Sequence, residues 1–139
     1  MKKNEVKKNN KGFSLVELIV VIAIMAVLVG VLAPQFIKYV NNSKVATDVK
    51  NGQEIAAAIS TDLADGTISS KVSTATEITS SNKPSAIANL PAVKYTTSGD
   101  KKWYFTCDPD TGSVEVYCSG TAATNKVYPE DGYTASRKK

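Results

Sequence analysis

Hydrophobic and polar positions along this chain fall into three successive patterns. Residues 1 to 12 are polar. From Phe13 to Ile37 the sequence reads FSLVELIVVIAIMAVLVGVLAPQFI, and Leu18 to Ala33 carry no charged or strongly polar side chain. Such a run lacks the polar stripe of an amphipathic helix. At about 1.5 Å of rise per residue, 25 residues in a helix cover about 37 Å, enough to cross a hydrocarbon core of about 30 Å. A membrane-spanning helix over residues 13–37 is therefore predicted.

From Lys38 to Ala64 the apolar positions Val45, Val49, Gly52, Ala56, Ile59 and Leu63 recur at helical spacings, with polar residues between them. The helix is expected to continue through this second half and to end near Asp65-Gly66, where glycine takes a left-handed cap. One long helix from about Phe13 to Leu63 results, with the stripe of its outer half buried against the rest of the chain. Residues 65–92, rich in Ser, Thr, Ala and Asn with Pro84 and Pro91, read as a connecting loop with room for a short helical turn.

Strand patterns follow over residues 93–118. Val93 to Thr97 is one candidate, Ser98-Gly99-Asp100 a turn, Lys101 to Cys107 a second strand and Val114 to Cys118 a third. Between the last two, Asp108-Pro109-Asp110-Thr111-Gly112 has proline for a type I turn and glycine for a left-handed residue, a hairpin signal. If Cys107 faces Val114, then Phe105 faces Val116 and Trp103 faces Cys118, and all six share one apolar face. Lys102, Tyr104, Thr106, Glu115 and Tyr117 share the other face, as expected of a sheet with one side on a core. The predicted class is α+β: a long N-terminal helix packed at its outer half on a small antiparallel sheet of three to four strands, with a C-terminal loop over 119–139.

Charge changes the picture in one place. The chain of 139 residues has 17 Lys plus Arg against 13 Asp plus Glu, a formal net charge of +4. Five of the lysines, Lys2, Lys3, Lys7, Lys8 and Lys11, precede Gly12 with one acid, Glu5. Lysines before the apolar run place the N-terminus in the cytoplasm and the long polar remainder outside. Without residues 1–12 the basic side chains fall from 17 to 12 and the acidic ones from 13 to 12, so the remaining side chains balance. The mature surface therefore gives no indication of nucleic-acid binding. With no His, the Ser-His-Asp and Cys-His nucleophile systems are excluded, and two Cys alone do not supply a structural zinc site. No phosphate loop, catalytic carboxylate pair or cofactor motif is present. Asp108-x-Asp110 is a poor calcium loop, because Gly112 comes one position early and Ser119 stands where the bidentate Glu belongs. The Arg137-Lys138-Lys139 tail reads as a solvated terminus.

Three simpler accounts of the apolar run compete. A cleavable secretory signal normally has an apolar region of about 7–15 residues. This run is longer and contains an acid, and the best cut, after Ala33 with Val31 two positions earlier, would put Pro34 directly after the scissile bond. A plain membrane anchor explains the length and the lysines without explaining Glu17. A buried core helix needs more surrounding apolar sequence than the polar remainder offers. Glu17 is informative because a carboxylate within an apolar segment costs about 2.5–3.5 kcal/mol at the bilayer centre, and less towards the edge, where it can snorkel.

The string Lys11-Gly12-Phe13-Ser14-Leu15-Val16-Glu17, behind a lysine-rich leader and ahead of an uncharged apolar run, resembles the processing site of type IV pilins and pseudopilins over residues 7–38. That resemblance implies cleavage between Gly12 and Phe13 by a membrane-embedded prepilin peptidase and N-methylation of Phe13. It gives Glu17 the position of the family's characteristic acid, and Gly30 and Pro34 that of a bend or local unwinding in the helix. It implies a structural subunit rather than an enzyme. The expected role is self-polymerisation, with a pilus assembly platform as partner, into a surface filament for adhesion, motility or biofilm formation. A pseudopilin of a secretion or DNA-uptake machine is the alternative, and a membrane-anchored binding module is the rival from another class. The subunit would sit in the membrane before assembly and in an extracellular pilus afterwards. Such pilins often close a C-terminal loop with a disulfide. Here the hairpin register sets Cys107 and Cys118 four residues apart along the strands, about 13 Å, beyond the roughly 7 Å a bridge tolerates. Two buried, unbridged cysteines are expected.

Overall fold

The computed structural model describes residues 12–95, 100–119 and 125–129. It contains one helix, α1 (Leu15–Ala64), and four strands, β1 (Val72–Glu77), β2 (Tyr104–Asp108), β3 (Ser113–Tyr117) and β4 (Lys126–Tyr128), paired antiparallel in the order β1-β2-β3-β4. The α+β class and the small antiparallel sheet are those the sequence predicts. The chain divides into two compact units, Met1–Tyr39 and Val40–Lys139.

In the first unit every described residue, from Gly12 to Tyr39, is exposed. In the second, the helix stripe meets the apolar face of the sheet. Val45, Val49, Ile55, Ala56 and Ile59 form one core with Trp103, Phe105, Cys107, Val114, Val116, Cys118 and Val127. The helix ends as expected: Gly66 adopts φ 80°, and the Ile68 N–H returns to the Asp62 carbonyl at 2.9 Å. The β2–β3 hairpin has the predicted register, Phe105 opposite Val116 and Cys107 opposite Val114. Gly112 is left-handed at φ 69°, and its N–H closes the turn on the Asp108 carbonyl at 2.8 Å.

Three expectations fail, each for a physical reason. The connection over 65–92 is not a plain loop, because β1 pairs with β2 along one edge of the sheet. Its sequence, VSTATE, has no apolar alternation, and only Val72, Ala75 and Glu77 are half-buried, so backbone pairing and β-branched threonines make the strand where hydrophobic pattern does not. The candidate strand at Val93 to Thr97 does not form over residues 93–95, and Thr96 and Thr97 lie outside the described residues. There the backbone N–H groups of Lys94 and Tyr95 donate to the buried Asp48 carboxylate at 2.7 Å each, so a side chain takes the donors a sheet would need. The C-terminal loop over 119–139 contains β4, whose Val127 is completely buried. One apolar residue in a three-residue strand is too short a signal for periodicity to detect.

The fully buried Asp48 and Asp62 (0% and 2% exposed) are the two polar interruptions of the helix stripe. Asp62 accepts from the Ser85 N–H at 2.9 Å and from the Ser85 hydroxyl. The Trp103 indole N–H donates to the Pro91 carbonyl at 2.6 Å. Three anchors thus hold residues 85–95 onto the core, where buried carboxylates require such partners.

Candidate functional site

The N-terminal motif begins in non-helical backbone. Gly12, Phe13 and Ser14 precede α1, and Phe13 is 93% exposed. The helix starts at Leu15, two residues later than the pattern suggested, and the cause is local. The Ser14 carbonyl accepts the first helical bond, from the Leu18 N–H at 3.2 Å, while the Ser14 N–H donates to Glu17 Oε2 at 2.8 Å. Ser14 is thereby the N-cap, and Glu17, three residues on, reaches back to it as in a capping box. A carboxylate in the first turn also faces the positive end of the helix dipole. Ser-x-x-Glu ahead of an apolar run is the sequence signal for this cap, which the pattern of apolar positions alone does not reveal.

Behind this cap lies an apolar surface with no cover of its own. Val16, Leu18, Ile24, Val27 and Leu28, on different sides of the helix, are all more than half exposed. The segment is long and apolar enough to cross a membrane, and none of its most apolar window is buried. Helical structure continues through Pro34. A side chain at Gly30 would meet nothing within 4 Å, so its small size is not required by packing within the subunit.

In the second unit the sequence-predicted groups are differently employed. Cys107 and Cys118 are buried and not joined to each other, and burial pushes the Cys107 thiol above its ordinary pKa, which disfavours the reactive thiolate. Asp108 pairs with Lys71 at 2.7 Å. This ammonium holds the Asp108 carboxyl below the usual range. Among the described residues no cluster of His, Cys, Asp and Glu could hold a metal ion. On the outer sheet face Glu115 accepts from the Tyr117 hydroxyl and pairs with Lys126 at 3.1 Å. Tyr104 donates to the Asp100 carboxylate, which pushes the phenol up to about 12. These groups satisfy one another around the sheet and form no constellation for nucleophilic or acid–base chemistry.

Comparison with known proteins finds one family motif and several relatives. Residues 7–33 match the family model described as the prokaryotic N-terminal methylation motif. The chain is 45% identical over 82 residues to "Prepilin peptidase-dependent protein A" of Clostridium perfringens, covering 58% of each chain. It is 37% identical over 60 residues to "Type IV major fimbrial protein FimA" of Dichelobacter nodosus, covering 43% of this chain and 38% of that one. The chain thus spans between about two fifths and three fifths of the length of these relatives. No solved structure matches. With its apolar first helix and its α+β domain, the chain carries the prokaryotic N-terminal methylation motif and is similar to type IV fimbrial and prepilin peptidase-dependent proteins.

Proposed function

We propose that this chain is the structural subunit of a type IV pilus, made as a membrane-anchored precursor and polymerised through its apolar helix. The observation that carries this reading is the pairing of a long, exposed apolar stretch of helix, Leu15 to Tyr39, with a short non-helical segment immediately before it. A helix exposing apolar side chains on all sides needs lipid first and other copies of itself afterwards. The exposed, non-helical backbone from Gly12 to Ser14 suits a peptidase that takes its substrate extended. Gly12 adds close approach there, since a side chain would meet nothing of the subunit itself.

In this scheme a prepilin peptidase cuts between Gly12 and Phe13 on the cytoplasmic side and Phe13 is N-methylated. The leader lysines are lost with the leader, after setting the orientation in the membrane. Cleavage leaves a cationic amine at Phe13. Inside a filament of apolar helices that amine needs a carboxylate, and Glu17 of a neighbouring subunit supplies it, favouring one axial register over others. Glu17 must then exchange its bond to the Ser14 N–H for the charged partner. Gly30 and Pro34 give the helix a place to bend or unwind on packing, since Pro34 lacks the N–H that would bind the Gly30 carbonyl.

Immunogold electron microscopy against the outer domain tests the reading, with wild type and Glu17→Ala compared. Labelled surface filaments from wild type, and their loss in the variant despite membrane-located protein, are expected. Filaments at wild-type level in the variant remove the registry role. Label confined to the envelope, with no filament, points instead to a pseudopilin of a secretion or DNA-uptake machine. An intact N-terminus and no self-assembly point to a membrane-anchored binding module.

A further inference from the structure

The exposed helix carries marks of where it sits in a bilayer. Glu17 and Lys38 bound the uncharged stretch, which runs for the twenty residues Leu18 to Ile37. The 21 helical steps from Glu17 to Lys38 rise about 31 Å, close to the roughly 30 Å of a hydrocarbon core. Tyr39, 72% exposed, follows directly, with the amphipathic ring that favours the headgroup layer. Exposure also ends here: residues 12–39 are all exposed, Val40 is the first half-buried one among the described residues, and the second compact unit begins at Val40. Charge, aromatic anchor, burial and unit boundary therefore coincide within three residues.

We propose that the unassembled subunit is held at one fixed depth, with Lys38 and Tyr39 anchored in the outer headgroup layer of a lipid bilayer and Glu17 at the opposite headgroup layer. This deepens the membrane-precursor reading and rests on it. A competing placement starts the hydrocarbon at Phe13. It buries Glu17 about 6 Å deep, ends the core near residue 33 and leaves Phe36 and Ile37, exposed by 68% and 60%, in water. The proposed depth avoids both costs. It puts the bilayer midplane between residues 27 and 28. It also sets the Gly12–Phe13 bond beyond the hydrocarbon edge, within the headgroup layer, with the Ser14–Glu17 cap in polar surroundings.

The test uses the full chain reconstituted in phosphatidylcholine vesicles. Single tryptophans replace Val20, Ile24, Val27 and Val31 in turn, and quenching by lipids brominated near the ends of their acyl tails is measured. Trp103, buried in the domain core, supplies a constant background. Quenching is expected to peak at Val27→Trp and to fall on both sides. In the Lys38→Leu/Tyr39→Leu background the peak should move towards Val31→Trp. A peak at Ile24→Trp or Val20→Trp overturns the proposed depth while leaving the spanning helix intact. A peak unmoved by the double substitution removes the anchoring role of Lys38 and Tyr39. Absence of quenching at all four positions overturns the membrane reading itself.

Discussion

The substitution Gly52→Ala probes a close approach between α1 and the sheet. A Cβ at Gly52 would lie 2.9 Å from Val127 Cγ1 and 3.1 Å from Val127 Cβ, with Trp103 Cζ3 at 3.6 Å. Carbon atoms pack best at about 3.5–4.0 Å, so the first two contacts need relief. Val127 is completely buried and, being β-branched, has little rotameric freedom. The clash therefore moves the helix or β4 rather than one flexible side chain. Overpacking of this kind costs about 1–3 kcal/mol, while alanine gains about 1 kcal/mol over glycine in a helix interior. The net loss is about 0–2 kcal/mol in the wild-type background. Val127→Ala removes the 2.9 Å contact with Cγ1 and keeps Cβ at 3.1 Å, so in that background Gly52→Ala should lose much of its cost while keeping its helical gain of about 1 kcal/mol. Urea denaturation of the full chain in detergent, followed by Trp103 fluorescence, reads all four proteins of the cycle. A change of sign or a clear reduction in cost between backgrounds is expected. Equal cost in both would mean that Val127 does not set the closeness of the approach.

Asp48→Ala should cost about 3 kcal/mol or more in the same denaturation assay, since two backbone donors, on Lys94 and Tyr95, lose a charged acceptor worth about 1.5–3 kcal/mol each; a loss below 1 kcal/mol would show that water replaces it. Tyr104, raised from 10.0 to about 12 by the Asp100 carboxylate, keeps its proton in the fold after the unfolded chain has lost it. Its contribution to stability is then full below pH 10 and lost as pH rises towards 12; tyrosinate absorbance should show a phenol titrating near 12 in wild type that is lost after Tyr104→Phe. Alkylation of denatured, unreduced protein should add two thiol adducts by mass, and no adduct would show a disulfide between Cys107 and Cys118.

The legible parts of this fold are those where one pattern dominates. The apolar run, the helix stripe at Val45, Val49, Ala56 and Ile59 and the β2–β3 register all follow from periodicity plus one turn signal. β1 and β4 were not legible, because their pairing rests on backbone bonds and on one buried valine rather than on alternation. The strand expected at Val93 fails through a long-range partner: Asp48, 46 residues away, takes the N–H groups, and nothing local announces that. In the motif, Glu17 stands out as an acid within an apolar run, and Gly12 and Phe13 through the resemblance to prepilin processing sites. The cap between Ser14 and Glu17 is equally legible as Ser-x-x-Glu, since the nearest donor to the carboxylate is three residues away.

The proposed life cycle, from leader-bearing precursor to filament subunit, is tested most directly by the N-terminal peptide of sheared surface filaments, read by mass spectrometry. It should begin at Phe13 and carry one methyl group on the amine, with residues 1–12 absent. A filament subunit that begins at Met1, or surface filaments that lack this chain altogether, would contradict it.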